Sequence, residues 1–400
     1  MAAEPIASRE LPDARRLPAL DWMRGLVMVL MVIDHAGDMW DSGKTLTDTW
    51  WRWQPGDTLE TAQWFSRWIT HLCAPTFVFL AGTSLALSIE RRLQAGANAT
   101  AVDRHIAIRG LFIASLDLIW VSVWWWLQGT LDGALLQVLY AIGLSMVAMV
   151  FLRRLPSVLL FAVGVALVAG SELFVDFGNI FDRGGMFWLQ AALVNTGLWG
   201  IPDFNTPGYF GFYLFYPLLP WLGMMILGWV FGRWLLQHGN RGSAAPERML
   251  LAWGLGALVL FVAVRYPTSG YGNMQLFRDD GSLIQWLHVS KYPPSLTFAA
   301  LELGLMALLL SGFFFVQRTK WQRGRGIQRD GPLLVFGQTA LFFYLIHIPA
   351  LALPQMLIGE KHGLGARYAA TLLTLIVLYP GCLWYRSVKR RKAASLLRFI

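Results

Sequence analysis

Long apolar segments recur along the chain. On one side they are joined by short basic stretches, on the other by longer polar ones rich in Gly, Pro, Asp and Trp. A helix needs about 20 apolar residues to cross the hydrocarbon core of a bilayer. The pattern predicts ten spans, near 19–36, 68–89, 107–127, 134–152, 155–175, 212–235, 249–266, 293–316, 332–354 and 367–386. The expected fold class is all-α: a polytopic membrane helix bundle with its N-terminus and C-terminus cytoplasmic. Residues 1–17 read as a cytoplasmic segment, 18–390 as one membrane domain and 391–400 as a basic tail. The stretches 37–67, 176–211 and 267–292 read as irregular outer surface, and loops that long suggest recognition on their face. No internal repeat marks the chain as an inverted-repeat transporter.

Composition agrees with the pattern: 56% of the 400 residues are hydrophobic and only 14% are charged, which excludes a soluble globule. The net charge of +9 invites a nucleic-acid partner until its placement is read. Under the topology above, 23 of the 33 Lys and Arg residues fall on the cytoplasmic side and nine on the other, with Arg24 inside the first span. That bias orients helices in a membrane. Membrane lipid is therefore the expected partner, nucleic acid is not, and a homo-oligomer stays open. Cys73 and Cys382 both fall in apolar spans, so no disulfide framework is expected. The N-terminal stretch lacks the basic start and apolar run of a signal peptide.

Candidate chemistry begins in the first span. Arg24 and His35 are eleven helical residues apart, a turn of about 1100° and a rise of about 16 Å, so both lie on nearly one face. Ionisable groups inside a bilayer are costly and usually face a bundle interior or a watery cavity. His71, near the start of the second span, and His347, in the outer half of the ninth, are expected at a depth similar to that of His35, with His288 just outside on the same side. Asp34 and Asp38 are an i,i+4 pair, and Asp38 is three residues from His35. It either orients the imidazole or caps the helix in water. Arg24 reads either as an anchor reaching the interface or as a ligand for an anion, whose oxygens its planar fork suits. Asp117 and Glu302 fall mid-span and need partners there. Tryptophans 50, 51, 53, 64 and 68 either stack on sugar rings or anchor the interface. No histidine spacing supports a metal site, and none is expected.

These residues lie in motifs that resemble a known family. They are Leu20-Asp-Trp-Met-Arg-Gly25 with Met31-Val-Ile-Asp-His35, and Ile69-Thr-His-Leu-Cys-Ala-Pro-Thr-Phe-Val-Phe-Leu-Ala-Gly82. Further on come Pro217-Leu-Leu-Pro-Trp-Leu-Gly-Met-Met-Ile-Leu-Gly228, Lys291-Tyr-Pro-Pro-Ser295 and Phe342-Phe-Tyr-Leu-Ile-His-Ile-Pro349. Together they resemble bacterial members of the heparan-alpha-glucosaminide N-acetyltransferase family, within the wider transmembrane acyltransferases. The resemblance implies a multi-pass protein of a bacterial inner membrane. Such an enzyme takes acetyl-CoA from the cytoplasm as acyl donor and passes the acetyl group to a hydroxyl or amine of a glycan outside. It also implies a departure. Lysosomal members carry Asn where this chain has His35, and their proposed catalytic histidine comes later in the first outer loop, where this chain has none before His71. The expected site is therefore His35 as general base or transient nucleophile, Asp38 or Asp34 orienting it, His71 or His347 serving the oxyanion or leaving thiolate, and Arg24 holding CoA phosphates. A proton-coupled transporter using intramembrane His, Asp and Glu is the rival reading.

Overall fold

The structure, a computed structural model, describes residues 17–49, 52–129, 133–173, 175, 192–193, 197–201, 210–239 and 242–391. The expected tail and N-terminal segment lie almost wholly outside them, as do Trp50 and Trp51. Helices dominate: α1 (Pro18–Trp40), α2 (Thr61–Gln94), α3 (Ala99–Leu127), α4 (Val138–Leu152), α5 (Ser157–Ala169), α6 (Leu218–His238), α7 (Ala245–Arg265), α8 (Leu283–Leu287), α9 (Leu296–Gln322), α10 (Pro332–Gln338), α11 (Ala340–Ile358) and α12 (Leu364–Arg391). Seven of those described, α2, α3, α6, α7, α9, α11 and α12, are long and apolar enough to cross a membrane. Helix α1 has 23 residues but carries Asp21, Arg24, Asp34 and Asp38, and α4 and α5 are shorter. Each of the ten expected segments overlaps a helix. The chain is an all-α polytopic bundle.

Two segments start later as helix than their apolar pattern suggests. A small sheet takes their first residues: β1 (Gly133–Leu136), β2 (Gly197–Ile201) and β3 (Phe210–Leu214), in the order β1-β3-β2. β1 runs parallel and β2 antiparallel to β3. Pro217 explains the later start of α6, because proline disfavours helical geometry at Tyr216 and stands at the cap of the helix that follows.

Helix α1 is the axis of the bundle. It packs against α2, α9, α10, α11 and α12, so a polar face on α1 is enclosed by protein and not by lipid. Outer helices present the lipid face: Leu251, Leu255, Val259 and Val262 of α7, and Leu372, Leu373, Ile376 and Val377 of α12, are exposed. Close crossings rest on small residues. A Cβ at Gly228 of α6 would stand 2.0 Å from the Phe79 carbonyl oxygen of α2, and one at Gly82 of α2 would stand 2.1 Å from the Met225 oxygen. Membrane helices gain much of their association from such backbone contact.

Two of the loops expected outside fold over the same end of α1 as His35. Thr47 and Asp48 pack on the 288–295 turn: His288 Nε2 donates to the Thr47 carbonyl at 2.8 Å, and the Lys291 backbone N–H donates to the Asp48 carbonyl at 2.9 Å. Trp53 closes edge-on over His288 at 4.9 Å. Burial pushes the His288 imidazole down to about 4, against the upward pull of the Thr47 carbonyl and the Asp48 carboxylate. Asp48 behaves in the opposite sense: burial disfavours its charge, but Arg67, His71 and Lys291 outweigh burial and hold it well below the usual carboxylate range.

Gly228→Ala should lower the melting temperature of the detergent-purified protein by an amount equivalent to about 1–3 kcal/mol, the usual cost of overpacking; an unchanged melting temperature would show that α2 and α6 separate freely. The loop contact should also depend on pH. His288 has a folded value below its unfolded one, so its contribution is complete above the ordinary histidine value and is lost as pH falls toward about 4. Asp48's contribution is complete above the ordinary carboxylate value and is lost progressively as pH falls below it. Limited proteolysis of the 41–60 loop should therefore accelerate between neutral pH and about 4, and the acceleration should be absent in His288→Gln.

Candidate active site

His35 and His347 meet at the centre of the bundle. His35 Nδ1 lies 2.7 Å from His347 Nε2, and the two rings meet edge to edge, their centroids 5.0 Å apart and their planes 18° from parallel. α1 supplies one imidazole and α11 the other; Trp125 stands edge-on to His35 at 5.9 Å, and Tyr344 packs on His347 at 5.5 Å. The remaining nitrogen of His347, Nδ1, is 3.3 Å from the Phe343 carbonyl oxygen. A carbonyl oxygen only accepts, so His347 Nδ1 carries the proton and Nε2 keeps its lone pair. His35 Nδ1 must then donate to that lone pair. The consequence is a His35 Nε2 with a free lone pair, held by a neutral imidazole in the manner of an oriented base.

The carboxylates lie elsewhere than expected. Asp34 receives both oxygen contacts from Arg67, at 2.6 and 2.7 Å, and a third bond from Lys44 at 2.8 Å. Asp38 pairs with Lys44 at 2.7 Å. Neither is hydrogen-bonded to His35, whose orienting partner is His347. The physical reason is charge: in a buried setting a carboxylate gains far more from a full cation than from a neutral ring. Arg67 also reaches Asp48 at 2.8 Å, and His71 Nε2 stands 3.2 Å from the same carboxylate without hydrogen-bond alignment. His71 thus sits with Asp48 and Phe298, beside an ion-pair cluster and not against the His35 ring.

Two cavities are lined by residues from opposite ends of α1, and neither lining includes His35 or His347. The first, about 280 Å³, is lined by Arg24, Ser84, Arg109, Lys389, Met28 and Tyr344 among others. It has cations at one end and, at the other, a tyrosine that touches His347. Arg24 is largely engaged there: Nη1 donates to Asp21 Oδ1 at 2.8 Å and to the Gly337 carbonyl at 3.1 Å, and Nη2 donates to Ser84 Oγ at 2.8 Å. Arg109 shares the cavity wall, lies within electrostatic reach of Arg24 and Arg92, and has an Nε with no partner among the described residues. The Tyr344 hydroxyl is buried and likewise unpartnered among them. The second cavity, about 630 Å³, opens at the loop end, where Gly37, Asp38, Asp41, Thr47, Arg52 and Lys361 line it with polar groups. Helix α1 thereby lends Arg24 and Met28 to one cavity and Gly37 and Asp38 to the other, with His35 between those positions along the helix.

Arg109 and Tyr344 were not singled out by sequence reasoning. Arg109 counted there only as a basic residue at a span border, and Tyr344 stood within a quoted motif, three residues before His347. Other marked residues have structural partners. Asp117 Oδ2 accepts from the backbone N–H groups of Gln137 and Tyr140 at 2.8 and 2.7 Å, capping α4. Cys73 Sγ contacts the Val27 carbonyl. Glu302 is buried, and its Oε1 has no partner among the described residues. Trp64 and Trp68 stack on each other at 6.1 Å, and Trp53 is buried on His288. Among the described residues no three His, Cys, Asp or Glu side chains gather as metal ligands.

No match was found among curated proteins. A family model described as heparan-alpha-glucosaminide N-acetyltransferase, catalytic, matches residues 16–263. That stretch covers α1 through most of α7 and includes Arg24, His35, Arg67, His71 and Arg109, although His347 lies beyond it. With well over half of the chain matched, this multi-pass membrane protein belongs to the heparan-alpha-glucosaminide N-acetyltransferase catalytic family, and is an acetyltransferase-type membrane enzyme.

Proposed function

We propose that the protein moves an acetyl group from acetyl-CoA, held in the basic cavity, to a hydroxyl or amine of a glycan in the loop-end cleft. The observation that carries this reading is the His35–His347 pair, whose first member lies along α1 between the residues that line a cation-bearing cavity and those that line a polar cleft. Arg109, with Arg24 and Lys389 beside it, suits the phosphates of CoA, because guanidinium groups bind such oxygens by charge-assisted bonds. The pantetheine chain then runs past Met28 and Val138 toward Tyr344. The basic end is the cytoplasmic one on the positive-inside rule, which places the acceptor outside, in keeping with a bacterial inner membrane.

At the meeting point His35 Nε2 takes the acceptor's proton as its oxygen or nitrogen attacks the thioester carbon. The new bond to carbon forms, the carbon–sulfur bond breaks, and the proton passes from His35 Nε2 to the departing thiolate. His347 holds the His35 ring throughout. The same lone pair also suits a transient acetyl-His35. The Tyr344 hydroxyl, unpartnered among the described residues and carried by a side chain that lines the cavity, is a donor for the oxyanion that develops on the thioester, a role sequence reasoning gave to His71 or His347.

Purified protein incubated with acetyl-CoA and isolated envelope glycans should release CoA thiol and add the mass of an acetyl group to the glycan. His35→Ala should lower that rate by about 10²–10⁴-fold, the usual share of a general base. An unchanged rate in the variant would remove His35 from the chemistry, and passage of unmodified glycan precursor across liposomes without CoA would replace this reading with transport. Arg109→Gln should raise KM for acetyl-CoA about tenfold or more at nearly constant kcat, the worth of a hydrogen bond to a charged group; equal KM values would place the phosphates elsewhere.

A further inference from the structure

Helix α11, which carries His347, contains Pro349. Proline has no N–H to donate and its ring crowds the carbonyl four residues earlier, so the Leu345 carbonyl has lost its helical donor and is turned outward. An orphaned carbonyl within a membrane span is costly unless another group bonds it. Here the donor comes from a different helix: Trp120 Nε1 donates to the Leu345 oxygen at 2.7 Å. The bond lands two residues before His347 and four before Pro349, on the stretch whose rotation sets where the imidazole points.

Trp120 reaches that carbonyl because α3 is irregular where it stands. Residues Asp117–Val121 form one π-helical turn, and such turns re-aim side chains and cluster at functional sites. The same turn directs Asp117 onto the first N–H groups of α4, whose Val138 and Leu139 wall the basic cavity, while Ser122 Oγ donates to the Asp117 carbonyl at 2.6 Å and accepts from Leu135 N at 2.8 Å. One distorted turn therefore grips both the cavity wall and the helix bearing His347, and Trp125, a turn further on, touches His35.

We propose that Trp120 is a positioning residue for acetyl transfer, acting through the Leu345 carbonyl that Pro349 leaves open to hold His347 in bonding register with His35. The inference rests on the acetyltransferase reading only for its kinetic consequence. The structural consequence, a fixed imidazole pair, stands apart from it.

The test is a cycle of Trp120→Phe, Pro349→Ala and the double variant in the full-length protein. Two readouts are taken on each: kcat for acetyl transfer, and the rate at which diethyl pyrocarbonate labels His35, followed by mass spectrometry. Trp120→Phe keeps the ring and loses the N–H. It should lower kcat about 10–100-fold with KM for acetyl-CoA nearly constant, as misplacement by about an ångström does, and it should raise the labelling rate of His35 severalfold. Pro349→Ala returns a backbone N–H to the Leu345 carbonyl, so the double variant should recover labelling and most of kcat. A merely packing role for Trp120 gives no such recovery. Unchanged labelling and kcat in Trp120→Phe, or losses that add without recovery in the double variant, would overturn the proposal. If the labelling cycle behaves as stated while the wild-type protein transfers no acetyl group, the reading of function falls and the positioning role remains.

Discussion

Everything at the centre of this protein depends on two neutral rings donating and accepting in one direction. The Phe343 carbonyl fixes the proton on His347, His347 fixes the proton on His35, and the chain ends in an unshared lone pair. In water such a pair of imidazoles would trade partners with solvent. Enclosed by α1, α3 and α11, it has few alternatives, and a bond made in low dielectric is correspondingly directional. An aspartate in the place of His347 would bring a charge that the bundle would have to balance; a second histidine orients the first without one.

The carboxylates serve a neighbouring task. Arg67 Nη1 donates to both Asp34 oxygens and its Nη2 reaches on to Asp48, while Lys44 spans Asp34 and Asp38. This network ties the C-terminal end of α1 to the start of α2 and to the loop between them. Breaking one partner of such a buried set strands the others, so the network holds its geometry firmly. Two of its members, Asp38 and Lys44, line the loop-end cleft. The imidazole and the polar cleft are thus fixed to one helix by different interactions, hydrogen bonds between rings on one side and ion pairs on the other.

Much of the architecture was legible in the chain because lipid imposes it. Apolar length marked the spans, and helical phase put Arg24 and His35 on one face of α1, where the cavity and the imidazole pair now lie. What periodicity does not carry is partnership between distant segments. His35 and His347 are separated by 312 residues, and no local pattern distinguishes that pairing from one with His71. Asp38 stood three residues from His35 and invited a local bond, but Lys44 from the following loop was a stronger partner. Arg109 was hidden for another reason: a cation near a span border is the commonest topological signal, so its unpartnered nitrogen in a cavity wall had no sequence mark. The π-turn at Asp117–Val121 was equally silent, since Asp117 read only as a mid-span carboxylate in need of partners.

The central claim is that donor and acceptor approach the imidazole pair from opposite ends of α1. Its most direct measurement is a cryo-electron microscopy map of the wild-type protein in a lipid nanodisc with a non-transferable thioether analogue of acetyl-CoA. The account predicts adenosine phosphate density against Arg109, Arg24 and Lys389, a pantetheine chain along Met28 and Tyr344, and the acyl carbon within about 4 Å of His35 Nε2, near the approach distance of reacting atoms. Phosphate density in the loop-end cleft, or an acyl end that stops in the basic cavity out of reach of both imidazoles, would contradict it.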